Sequence, residues 1–122
     1  MTAKTLVGEM DSTHSVTVNS TLEDGRNCFS VKLQGGDFEI NVVVGESDLK
    51  RLKAVATAKW SARESLRLGH VLGSPAFWSC EDGRLSVLAG PDDECWEVGV
   101  FLPEAAVNEL VAEIDRETAS SA

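Results

Sequence analysis

The chain has 122 residues, 43% of them hydrophobic and 25% charged, with a formal net charge of −9. A length of this order predicts one domain that buries roughly two thirds of its unfolded surface. The acidic balance argues against general nucleic-acid binding, which needs a basic footprint, and no apolar run reaches the roughly 18 residues of a membrane span.

Residues 1–15, MTAKTLVGEMDSTHS, lack the charged-then-apolar layout of a secretory signal. The first strand is expected over His14–Ser20, where apolar and polar residues alternate. It runs into EDGR at Glu23–Arg26, and the same four residues return at Glu81–Arg84, 58 positions later. Asp-Gly between apolar runs is a hairpin signal, because tight primed turns need positive φ. Further strands follow over Cys28–Leu33 and, after the turn Gln34-Gly35-Gly36-Asp37, over Phe38–Val44. The period then lengthens to about 3.6. A helix is expected from Ser47 with Leu49, Leu52 and Ala56 inward. Continuing that face would bury Arg63 and Arg67, while Ser61 and Glu64 have capping-box spacing. A break near Trp60–Ser61 and a short connecting helix ending at Gly69 are therefore predicted.

Ala76–Cys80, Leu85–Ala89 and Cys95–Leu102 repeat the three-strand pattern, and Pro103 suits the first turn of a closing helix. In that helix Val107, Leu110, Val111 and Ile114 share one face. Residues 23–54 laid over 81–112 without a gap match at nine of 32 positions. The expected fold is α+β: a tandem pseudo-repeat of a three-stranded antiparallel meander followed by a helix, βββα–α–βββα. It forms a single domain over 1–122, with unit one at about 13–60, the connecting helix at about 61–70 and unit two at about 74–118.

Strand alternation sorts side chains by face. The inward set of unit one is Val16, Val18, Phe29, Val31, Leu33, Phe38, Ile40, Val42 and Val44, and its outward set is polar. Unit two carries Ala76, Trp78, Val87, Ala89, Trp96, Val98, Val100 and Leu102 inward. Its outward set holds Phe77, Leu88 and Phe101, with Asn19 and Ser30 at the positions matching the first two. The second sheet is thus expected to be apolar on both sides. Either the connecting helix covers it through Leu66, Leu68, Val71 and Leu72, or it is a contact surface.

Little else in the chain carries chemistry. Cys28, Cys80 and Cys95, an odd count with no CxxC pair, fit reduced thiols and a cytoplasmic address. His14 and His70 stand alone, which is weak support for catalysis. Asp92-Asp93-Glu94 lacks calcium-loop spacing and reads as a solvated turn. Lys50, Arg51, Lys53, Lys59, Arg63 and Arg67 form a basic middle segment, expected to be a solvated face offset by nearby carboxylates. No cofactor, metal or catalytic residue is implied.

The stretch GSPAFWSCEDGRLSVLAGPDDECWEVGVFLPEAAV resembles small bacterial immunity proteins that neutralise polymorphic toxins. The likeness lies in a Pro-aromatic-Trp-Ser strand, an Asp-Gly hairpin and a Pro-started closing helix, over about the last 45 residues. It implies a non-catalytic inhibitor that binds another protein. The candidate contact residues are Phe77, Leu88 and Phe101, fringed by Asp92, Asp93 and Glu94 for a basic partner. Two alternatives stand beside it: a homodimer built on the same face, and a small enzyme using a cleft between the units.

Overall fold

A computed structural model describes residues 6–8, 14–23, 25–36, 38–62, 64–92 and 95–120. The strands are β1 (Leu6–Gly8), β2 (Ser15–Glu23), β3 (Arg26–Gln34), β4 (Glu39–Val44), β5 (Leu66–Val71), β6 (Ser74–Glu81), β7 (Arg84–Ala89) and β8 (Val98–Pro103). Helix α1 (Glu46–Arg51) continues as a 3₁₀ segment, Leu52–Thr57. A second 3₁₀ turn spans Trp60–Ala62, and α2 covers Ala105–Ser120. One mixed sheet holds all eight strands in the order β1-β8-β7-β6-β5-β4-β3-β2. Its neighbours from β2 to β8 are antiparallel, and β1 lies parallel to β8.

The connecting helix expected over 61–70 is a strand. Leu66 and Leu68 alternate with Arg67, and β5 pairs with β6 from Leu66↔Trp78 to Val71↔Ser74. Trp78 Nε1–H donates to the Leu68 carbonyl at 2.9 Å, holding the two strands together from inside the core. Gly69 is a bulge residue and not a helix stop. Its φ is +78°, and a Cβ there would come within 2.5 Å of the Val43 carbonyl oxygen on β4. Glu64 does reach back as a capping glutamate would, but it accepts from the Lys59 amide, and Ser61 N–H donates to Glu81. A single 3₁₀ turn results. Beyond the start of β5, the Ala58 carbonyl accepts from Cys80 N–H and continues the ladder.

The helical layer also departs from the expected spacing. Leu49, Leu52 and Val55 are buried while Ala56 is exposed, because the switch to 3₁₀ at Leu52 shortens the repeat to three residues. Pro103 closes β8, and α2 begins at Ala105. The inward set of the first meander is buried as expected, apart from a half-buried Phe38 that packs against the core. Cys80, Leu68 and Leu85 join it from the later strands.

Helix α2 follows β8 yet packs on β2, at the far side of the sheet. Glu113 Oε1 accepts from Val18 N–H at 3.0 Å, and Arg116 donates to the Val18 carbonyl at 3.3 Å. A flat sheet would separate β8 from β2 by roughly 29 Å, whereas the rise from Ala105 to Glu113 is about 12 Å. The sheet therefore curls around its helices.

Candidate functional site

The outer face of the second meander differs from that of the first. On β2–β4 it carries Thr17, Asn19, Ser30, Lys32 and Asn41, with Ser30 Oγ–H donating to Asn41 Oδ1 at 3.4 Å. On β6–β8 the pairing sets out two rows, Phe77–Leu88–Gly99 and Ser79–Ser86–Phe101. Phe77 is 8% and Leu88 9% exposed. Neither is covered by a connecting helix, since that segment is β5. Trp96 supplies the cover over Leu88.

Trp96 was expected inward on a strand beginning at Cys95, and it is not. The strand starts at Val98, and Trp96 lies over the outer face beside Leu88 and Gly99. Two glycines allow this. At Gly99 a Cβ would fall 2.6 Å from the Trp96 ring, and at Gly90 it would meet the backbone of Trp96 and Cys95 within 2.6 Å. Gly90 N–H donates to the Pro75 carbonyl, and Asp92 Oδ1 accepts from Cys95 N–H at 2.7 Å, which fixes the loop. Asp92 thus serves a turn as well as standing exposed. Asp93 and Glu94 lie outside the described residues.

Beside Trp96 opens a cleft of about 380 Å³. Ser79 and Ser86 form its floor, and Leu88, Trp96 and Phe101 its apolar walls. Glu81, Asp82 and Arg84 come from the β6–β7 turn and also line it, as does Ser61. The Arg84 guanidinium stacks over Phe101, 4.5 Å from the ring centroid. Of the three aromatic or aliphatic contact candidates, only Phe101 keeps substantial exposure; Phe77 and Leu88 are packed within the chain. Trp96, Arg84 and Glu81 were missed as a group because their convergence depends on the loop, and nothing in strand alternation indicates a loop that folds back.

Each histidine meets a carboxylate: His14 Nε2 contacts Glu109, and His70 Nε2 lies 2.9 Å from Glu23 Oε1. Neither histidine lines the cleft at Trp96. Burial pushes the Cys80 thiol up; Glu104 adds to this and Lys59 opposes it, so the thiol stays protonated. Among the described residues no group of three or more His, Cys, Asp and Glu side chains is arranged to hold a metal ion. Three of the six basic residues meet carboxylates: Lys50 pairs with Glu46, Arg51 with Asp48, and Lys53 with Asp115 at 2.6 Å, while Arg63 lies outside the described residues. No described helix is long and apolar enough to cross a membrane.

Comparisons with protein-family models, with curated proteins and with solved structures return no match.

Proposed function

We propose that this chain is a non-catalytic protein-binding domain whose contact site is the cleft formed by Trp96, Phe101 and the β6–β7 turn. The observation that carries it is the pairing of aromatic walls with the carboxylates Glu81 and Asp82, on a face whose counterpart in the first meander is polar. A partner presenting a basic or apolar side chain fits such a site: the rings supply contact area, and the acidic surroundings of a −9 chain speed and orient encounter. Within this class we read the chain as an inhibitor of the immunity type, on the layout of residues 73–107. A duplicated ancestral meander underlies the design. It is supported by two hairpins of identical register, Asn19↔Ser30 in one and Phe77↔Leu88 in the other, 58 positions apart.

The test is co-purification from the source cell using wild type and Phe101→Asp, with retained fold checked by circular dichroism. The reading predicts one basic protein bound stoichiometrically to wild type and lost from the variant. Equal recovery by both would place the contact elsewhere.

A further inference from the structure

The cleft at Trp96 changes character along its length. The registers stack three rows on the outer face: Phe77–Leu88–Gly99, then Ser79–Ser86–Phe101, then Glu81–Arg84–Pro103. Successive rows are two residues apart, roughly 7 Å. The first row is apolar and carries Trp96 beside Leu88. The second puts two hydroxyls on the floor, and the third ends in the acidic turn with Asp82. A group that fits this order has an apolar stem, a hydrogen-bonding head and a positive charge, as the long basic side chains do.

Ser79 gives a second, independent observation. It is 6% exposed, the one buried polar side chain among the described residues, and it lines the cleft. No hydrogen bond among the described residues engages its hydroxyl. Buried polar atoms in folded proteins are nearly always partnered, so this hydroxyl is set for a group brought from outside. Ser86 stands opposite it on β7.

Charge and shape then select among cations. Glu81 and Asp82 against Arg84 alone leave the cleft one negative charge. Arg84 is laid on Phe101, so the cleft already stacks one guanidinium on an aromatic ring. The two serine hydroxyls and the Asp82 carboxylate are acceptors spread over neighbouring rows. A guanidinium presents five N–H donors in one plane and stacks on an indole, so it serves several separated acceptors at once. An ammonium is a compact, strongly hydrated point charge with no flat face. Resting on the reading of the cleft as a protein contact, we propose that it is a pocket for an arginine of the partner. The stem of that arginine lies along Trp96 and Leu88, and its guanidinium sits over Ser79 and Ser86, against Asp82.

NMR titration of the isotope-labelled full chain with N-acetyl-arginine amide, at constant ionic strength, tests this. The Trp96 indole N–H and the amides of Ser79 and Ser86 should shift and saturate with a Kd on the order of 1 mM, as a ligand of this size allows. N-acetyl-lysine amide should bind about tenfold more weakly. Ser79→Ala should weaken arginine binding about fivefold. Asp82→Asn removes the charge and keeps the turn, which Asn-Gly suits, and should weaken it about tenfold. Absence of a saturable shift at Trp96, equal binding of the two amides, or unchanged binding by both variants overturns the proposal. The protein-contact reading is judged separately by co-purification. If Phe101→Asp loses its partner while arginine amide does not bind wild type, the cleft takes another side chain; if both fail, the contact lies elsewhere.

Discussion

The two meanders share a hairpin geometry and part company at the third strand. On the first sheet Ser30 pairs with Val43; carrying the 58-residue offset forward, Leu88 would pair with Phe101, but it pairs with Gly99. The difference begins at Pro91. It occupies the place of Leu33, and a proline cannot donate to a central ladder, so β7 ends at Ala89 while β3 runs on to Gln34. The residues released from the strand become the loop that carries Trp96 across the outer face. The first meander thus keeps a solvated outer face, and the second has a covered one with a cleft beside it.

Matched substitutions on the two outer faces sharpen this contrast. The largest effect is expected from Phe77→Asp, which removes a buried ring and buries a charge; it should cost about 4 kcal/mol or more by chemical denaturation. Asn19→Asp, at the equivalent exposed position, should stay within about 0.5 kcal/mol. Equal costs would mean that the two faces are alike. Trp96→Ala should cost about 2 kcal/mol, since the indole is half-buried, and should make Leu88 accessible to solvent-exchange probes. An unchanged denaturation midpoint would show that the loop does not cover the sheet. Ser30→Ala, which removes a long exposed hydrogen bond, should be the smallest, below about 0.5 kcal/mol.

Acid should probe the first meander selectively. Arg116, hydrogen-bonded to Glu113, holds that carboxyl below its ordinary range; burial opposes this, and Val18 N–H assists it. A carboxylate whose pKa is depressed on folding adds stability above its unfolded pKa of about 4.3, and loses it as pH falls through the folded value. Stability should therefore decline below about pH 4, more steeply in wild type than in Glu113→Gln. Parallel pH profiles would remove this pair from the acid response.

Much of this was legible from the amino acids alone. Both Asp-Gly hairpins, the inward residues of β2–β4 and the face of α2 follow from period and turn chemistry, and the structure keeps them. Strand β5 was hidden because its hairpin turn is Leu-Gly, a pair that local preference does not favour, and because Ser61 and Glu64 mimic a helix cap. Trp96 was misplaced because alternation was extended three residues before the true start of β8. Phe77 and Leu88 belong to the outer face as alternation indicates, yet the cover that Trp96 gives Leu88 comes from the following loop, which alternation does not reveal.

The Glu113 and Arg116 contacts to Val18 have a consequence for biosynthesis. They occupy the backbone donor and acceptor of an outermost strand, which would otherwise template pairing with a neighbouring chain. That strand is translated before the helix that shields it. Until the helix emerges the growing polypeptide carries an unguarded ribbon, and a truncation that removes the shield should leave a product that clumps.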